Sequence, residues 1–196
     1  MDLLIASLLG VIASVLAWLA VTQSLRPRVL VSNFVSRKLD SSGNVSYRIK
    51  IMNARHRRNV ADVKTHLYVW IPGYWPDRPG SNKIIPVPAT STELVGMEPG
   101  HDRVIRLQLE DPLAEVKSFG IDIPPDTNPL EALLALGSGE GQLRMWIGYT
   151  DAYSGVRRAH LQRFGANDIS DHLFGRSGVE KGRASFDAER PSDPDH

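Results

Sequence analysis

The most continuous hydrophobic feature of the chain is an uncharged run at its start, residues 3–22, which reads LLIASLLGVIASVLAWLAVT. A helix of this length rises about 30 Å at about 1.5 Å per residue, which matches the hydrocarbon core of a bilayer. A secretory signal peptide would carry Lys or Arg before the apolar run, but only Asp2 precedes this one. A buried core helix is usually shorter and has a polar edge. The run therefore predicts an uncleaved, single-pass transmembrane anchor over residues 1–24.

The pattern changes to a period of two after this run, and that period is typical of half-buried strands. The clearest example is the alternation of Val45, Tyr47, Ile49 and Ile51 with polar residues. Similar patterns or short apolar segments predict strands in six further segments: 28–36, 63–71, 84–88, 104–110, 143–149 and 156–164. Pro86 and Pro88 limit the third of these to a short or edge strand, because proline donates no ladder hydrogen bond.

One helix is predicted among the strands, at 127–137. Asn128 suits its N-cap, Pro129 its first position and Gly137 the position after its end. Short strands with one connector helix and no strand–helix alternation predict a mainly β, immunoglobulin-like antiparallel β-sandwich over residues 25–175. Residues 176–196 contain few apolar side chains and are predicted to form a disordered polar tail.

The segment between Val45 and Ile71, YRIKIMN…NVADVKTHLYVWI, resembles a strand pair of the immunoglobulin-like cytoplasmic domain of inward-rectifier-type channels. The resemblance implies a cytoplasmic sandwich fold. It carries no functional signature, and the chain has no pore loop, so it does not imply ion conduction.

Composition excludes several classes of function. The formal net charge of +1 lacks the strong basic excess of nucleic-acid-binding proteins, so no nucleic-acid partner is expected. The chain contains no Cys, which excludes a disulfide framework, thiolate metal ligands and a thiol nucleophile.

The charges beside the apolar run predict its orientation. Arg26, Arg28, Arg37 and Lys38 follow the run, and no Lys or Arg precedes it. Positive residues stay on the cytoplasmic side, so we expect a cell-membrane protein with its folded domain in the cytoplasm. Small residues at spacings of three and four offer a surface for helix packing, although such residues are common in spans: Ala6, Gly10, Ala13, Ser14 and Ala17.

No catalytic, cofactor or metal residue is predicted. The GSGEG sequence at 137–141 follows a helix and precedes a strand, the reverse of a phosphate-binding loop, so it predicts a turn. The six His residues have no HExxH spacing. The nearest cluster is Asp168, Asp171 and His172, which we interpret as a capped, solvated turn. We therefore expect no cofactor and no enzymatic activity.

Two groups of residues are candidate contact surfaces. Tyr74 and Trp75 lie in a Pro/Gly loop, and Trp70 lies on the opposite face of its predicted strand from Val69. These three aromatics are predicted to bind a protein partner, and packing within the fold is the alternative. Basic residues are predicted to contact anionic lipid headgroups, the alternative being a solvated hairpin: Arg26, Arg28, Arg55, Arg57 and Arg58.

The sequence thus predicts a membrane-anchored, non-catalytic binding or assembly module at the inner membrane face. It would hold a protein partner or further copies of itself. Two alternatives stay open. One is a membrane-tethered hydrolase whose site forms only in three dimensions, and the other is an exported, anchored ligand-binding domain.

Overall fold

The computed structural model describes residues 2–24, 28–39, 44–54, 58–75, 78, 80–124, 127–172 and 174. Three helices are present in this part of the chain: α1 (Asp2–Ser24), α2 (Glu110–Ser118) and α3 (Pro129–Leu134). The strands are β1 (Val29–Val31), β2 (Val35–Leu39), β3 (Val45–Asn53), β4 (Val60–Pro72), β5 (Asn82–Pro86), β6 (Glu93–Met97), β7 (Asp102–Arg106), β8 (Gln142–Asp151), β9 (Arg157–Phe164) and β10 (Ile169–Ser170). A single 3-10 turn, Ala166–Asp168, connects the last two strands.

The strands form two sheets, each built around one long strand. In sheet A, β3 pairs with β7 along one edge and with both β1 and β2 along the other, and β10 extends the sheet beyond β2. In sheet B, β4 pairs with β8 along one edge and with β5 and β6 along the other, and β9 extends the sheet beyond β8.

The inner faces of the two sheets share one hydrophobic core. Sheet A contributes Ile49, Ile51 and Ile105, and sheet B contributes Val69, Leu143, Met145 and Ile147, all fully buried. Three leucines of α3 join the same core, which attaches this helix to the sandwich: Leu130, Leu133 and Leu134. A mainly β fold of two packed sheets is consistent with the predicted immunoglobulin-like sandwich.

The predicted transmembrane anchor over residues 1–24 is wrong. Among the described residues, no helix combines the length and the hydrophobicity that crossing a bilayer requires. The side chains described in α1, 5–21, are all exposed, including the five small residues predicted to pack between helices: Ala6, Gly10, Ala13, Ser14 and Ala17. The membrane location was inferred from this span, and it stays a prediction.

The other differences from the predicted elements have local causes. The strand expected at 28–36 is broken because the Ser32 hydroxyl donates to the Phe34 carbonyl at 2.8 Å and turns the chain. Strand β10 runs parallel to β2, so sheet A is not wholly antiparallel. Strand β6 and helix α2 were not predicted. The expected helix at 127–137 is only Pro129–Leu134, and Asn128 occupies its N-cap without a side-chain hydrogen bond.

Candidate binding face

The two central strands of sheet B, β4 and β8, present alternate residues to the core and to the outside. On β4 the outward residues are His66, Tyr68 and Trp70, and on β8 they are Arg144, Trp146 and Gly148. Antiparallel pairing places residues of the two strands side by side, Trp70 beside Gln142, Tyr68 beside Arg144 and His66 beside Trp146. The outer surface of sheet B is therefore a continuous layer of aromatic and cationic side chains.

Arg144 and Trp70 form the first contact of this layer. The guanidinium carbon of Arg144 lies 4.0 Å from the centre of the Trp70 ring. Its Nε donates to the Gln142 side-chain oxygen at 3.2 Å. A cation over an indole face contributes about 0.5–2 kcal/mol. The hydrogen bond to Gln142 fixes the position of the guanidinium along the strand. The charge and the ring are thus ordered together.

Trp146 is held in place by a glycine. A Cβ atom at Gly148 would lie 2.5 Å from Cη2 of Trp146, which means that the indole lies across the space above Gly148. The His66 ring lies on the other side, 5.5 Å from the Trp146 ring between centroids. The Trp146 side chain is nevertheless 37% exposed, so a large ring is both positioned and offered to solvent.

Apolar side chains flank the aromatic residues on the outer strands. Ile84 of β5 lies beside Trp70 and is 57% exposed, and Leu161 of β9 lies beside Trp146 and is 38% exposed. We call this surface the aromatic face and define it by six residues: Tyr68, Trp70, Ile84, Arg144, Trp146 and Leu161.

The charge of the aromatic face is positive. Arg163 lies beside Arg144 in the register of β8 and β9, and among the described residues no carboxylate pairs with either arginine. Lys64 and Glu93 neutralise each other at the margin, at 3.5 Å between Nζ and Oε1. An approaching anionic group would therefore meet two guanidinium groups that no carboxylate of the described residues neutralises.

The three aromatics predicted to bind a partner are divided between two places. Trp70 belongs to the aromatic face. Tyr74 and Trp75 pack with Phe119, the residue at the C-cap of α2, with ring centroids 4.8 Å apart for Tyr74–Trp75 and 5.8 Å apart for Trp75–Phe119. The Tyr74 side chain is buried, and this burial raises the pKa of its hydroxyl. Trp75 and Phe119 stay partly exposed, and the ammonium of Lys83 lies 4.5 Å from the Phe119 ring centre.

The residues predicted to contact lipid headgroups are only partly described. Arg28 is exposed just before β1. Arg58 is engaged inside the protein, because its Nη1 donates to Asp151 at 2.9 Å and its guanidinium lies over the Tyr153 ring. Arg26, Arg55 and Arg57 lie outside the described residues. Lipid contact stays a prediction.

The Asp168, Asp171 and His172 cluster is built from turn and ion-pair contacts. Asp168 accepts a hydrogen bond from the Gly165 backbone at 2.7 Å, which caps the turn before β10. Asp171 accepts two hydrogen bonds from Arg37, at 2.7 and 2.9 Å, and these bonds lower the pKa of its carboxyl. Within the part of the chain that the structure describes, no three potential ligands are grouped to hold a metal ion.

The chain matches no protein-family model and no curated protein. The resemblance to inward-rectifier cytoplasmic domains stays a prediction. The candidate site therefore depends on geometry alone.

Five residues of the aromatic face were not among the predicted contact residues: Tyr68, Ile84, Arg144, Trp146 and Leu161. For Arg144 and Trp146 the signal was present in the alternation of β8, where Leu143, Met145 and Ile147 mark the core face and the residues between them mark the opposite one. An apolar or aromatic residue on the outward, otherwise polar face of a strand indicates an exposed contact surface.

Proposed function

We propose that this chain is a non-catalytic binding module that holds an acidic protein partner on the aromatic face of sheet B. The observation that carries the proposal is the pair of ordered contacts on adjacent central strands, Arg144 over Trp70 and Trp146 across Gly148.

The composition of the face favours a protein partner. Trp, Tyr and Arg supply most of the strong anchor positions of protein interfaces, and four of the six residues of the aromatic face are of these types. Exposed Ile84 and Leu161 add apolar area on either side. The anchors lie on paired central strands and not on loops, so little conformational freedom remains to be lost on binding.

The charge of the face favours a heterologous partner over a second copy. A two-fold contact between two aromatic faces would place Arg144 and Arg163 of one copy near the same residues of the other. Like charges across an interface are unfavourable, whereas carboxylates of an acidic partner would pair with both arginines.

Site-specific photo-crosslinking tests the proposal. A photoreactive residue is placed at Leu161 of the full chain, and a matched one at Leu39, which is 59% exposed on sheet A. We expect a heterologous protein adduct from position 161 and none from position 39. With the purified adduct partner, Arg144→Glu should weaken binding at least about tenfold, since an anchor side chain contributes about 2 kcal/mol.

Arg103→Glu is the matched charge-reversal control, because Arg103 is exposed on β7 of sheet A. Its affinity for the same partner should equal that of the unmodified chain. The proposal is overturned by adducts made only of this chain, by no adduct at position 161, or by an adduct partner that binds the Arg144→Glu variant normally.

A further inference from the structure

The outer face of sheet A carries a row of cationic and hydroxyl side chains across four strands. Arg48 of β3 lies between Arg106 of β7 and Ser36 of β2, and Ser36 lies beside Ser170 of β10. Arg48 alternates with the buried core residues Tyr47 and Ile49, so the row lies on the face away from the core. We call these four residues the arginine–serine row.

Two polar atoms in the middle of the row have no partner among the described residues. The Arg48 Nε and the Ser36 Oγ are both enclosed and make no hydrogen bond there. The Ser36 side chain belongs to a residue only 1% exposed. Leaving buried donors unpaired is costly, and a bound water or ion is one of the groups that satisfy such atoms in folded proteins.

The charges around the row point to an anion. Arg48 and Arg106 are direct cross-strand neighbours, and like charges in this relation destabilise a sheet. Among the described residues, no carboxylate pairs with either of them. Lys50, two residues after Arg48 on β3, is buried but already paired with Asp102, at 2.5 Å between Nζ and Oδ2.

A water molecule alone would not explain this arrangement. Water bonded to Ser36 and Arg48 would satisfy the two enclosed atoms, but it would leave the charges of the two cross-strand arginines uncompensated. An oxyanion accepts hydrogen bonds from both guanidinium groups and from the hydroxyl, and it also neutralises the charge.

We propose that the arginine–serine row binds a phosphate oxyanion, either inorganic phosphate or the phosphate group of a small phosphomonoester. Arg106 is exposed and Arg48 is partly exposed, so the anion enters from the β7 side and reaches the buried Ser36 in the middle of the row. The Ser170 hydroxyl, which accepts a bond from the His172 backbone at 3.2 Å, retains its own hydrogen for the anion. The site lies on the opposite sheet from the aromatic face and is independent of the proposed partner.

Calorimetric titration of the full chain tests the site. Sodium phosphate and glycerol phosphate are each compared with sodium chloride at the same pH and ionic strength. We expect saturable binding of phosphate and no saturable signal with chloride. Binding of both phosphates indicates a site open to esters, and binding of inorganic phosphate alone indicates a site closed around the free ion. Either result supports the shared chemistry.

Three variants decide whether the row is responsible. Arg106→Gln changes an exposed side chain and should weaken phosphate binding about tenfold. Ser36→Ala should weaken it by a smaller factor. Arg103→Gln is the matched control, since Arg103 lies on the same strand but beside core residue Ile51, and it should bind phosphate normally. Phosphate that behaves like chloride, or equal affinity losses in Arg106→Gln and Arg103→Gln, would overturn the proposal.

Discussion

The Arg144 guanidinium lies over the Trp70 ring and is bonded to Gln142, the residue paired with Trp70 across the two central strands of sheet B. Three side chains on two strands therefore hold one another in place. This arrangement exists before any partner binds, so the ordering cost of an Arg–Trp anchor has been met during folding.

Gly148→Ala tests whether the glycine positions Trp146. The added methyl would occupy the space where the indole lies, at 2.5 Å from Cη2, so the ring must swing away. The ring end is exposed and can move, so the free energy of unfolding should change by less than about 1 kcal/mol. Trp146 fluorescence, isolated by comparison with Trp146→Phe, should shift to longer wavelength, and partner adducts at position 161 should decrease.

Gly139→Ala is the control for that substitution, because no atom lies within 4 Å of a Cβ there. Gly139 has a positive φ and Gly148 does not, so alanine strains the backbone only at Gly139, and the control applies to the Trp146 emission and not to stability. An unchanged Trp146 emission in Gly148→Ala would show that the glycine does not position the ring.

The Arg58–Asp151 pair predicts a specific acid dependence. Burial raises the pKa of Asp151, but hydrogen bonds from Ser154, the Tyr153 backbone and Arg58 outweigh it and leave the pKa below its ordinary value. The folded state thus binds this proton less tightly than the unfolded state. The stabilisation is complete above about pH 4 and is lost as the pH falls through the lowered pKa.

We therefore expect Asp151→Asn to cost about 3 kcal/mol at pH 7, as for a broken buried ion pair, and less at pH 3. Urea unfolding at a series of pH values measures the difference. Glu140→Gln, on an exposed turn, should show no comparable dependence. A cost of Asp151→Asn that stays constant from pH 7 to pH 3 would contradict the assignment.

The period-two pattern was sufficient to predict most strands of both sheets, because their inward residues contact one continuous core. It did not predict helix α2, since Leu107 and Leu109 continue the alternation of β7 up to the helix. The chain leaves the strand at Arg106, and acidic residues with Pro112 occupy the first turn of the helix, where all three are favourable. That signal was present in the sequence and was outweighed by the alternation.

The candidate site was less predictable for a physical reason. Which surface residues meet depends on the pairing of β4 with β8 and of β8 with β9, and strand order is not encoded locally. Trp70 was recognised because it departs from the apolar parity of β4. Trp146 and Arg144 lie 76 and 74 residues further along the chain, and only the register brings them together. The predicted anchor is a different case, since it depended on the length, hydropathy and charges of one local run and on no strand pairing.

Tyr47 and Glu131 couple α3 to sheet A. The Tyr47 hydroxyl donates to one Glu131 oxygen at 2.5 Å, and Arg37 donates to the other at 2.7 Å. Burial and the bond to Glu131 raise the pKa of the tyrosine. We expect Tyr47→Phe to cost about 1–2 kcal/mol, because it leaves a partly buried carboxylate oxygen and the Leu130 amide less well satisfied.

A double-mutant cycle with Glu131→Gln measures the coupling of Tyr47 and Glu131 directly. Chemical denaturation of the four proteins should give a coupling energy of about 1–2 kcal/mol. Asp171→Asn is the comparison, since it removes an exposed partner of the same arginine and should destabilise less. Additive losses for Tyr47→Phe and Glu131→Gln would show that their contact contributes nothing to folding.

Asn53 joins the two sheets at one end of the sandwich, and the carboxyl introduced by Asn53→Asp should bind its proton more tightly in the folded state, the reverse of the Asp151 carboxyl. The Asn53 side chain is fully buried and its Nδ2 donates to the carbonyls of Arg58 and Met97, at 2.9 and 3.0 Å. An ionised carboxylate at this position cannot donate to either carbonyl and would be repelled by both, so Asn53→Asp should cost more than Asn53→Ala at pH 7.

Protonation returns one donor to the substituted side chain, so the folded state of Asn53→Asp should bind this proton more tightly than the unfolded state. The free energy of unfolding that Asn53→Asp loses relative to the unmodified chain should therefore shrink as the pH falls from 7 to 4. The loss for Asn53→Ala, about 2–3 kcal/mol, should stay constant. Unfolding midpoints across this range provide the measurement. If both variants lost the same stability at every pH, the two carbonyl contacts would not be what holds β3 of sheet A against Met97 of sheet B.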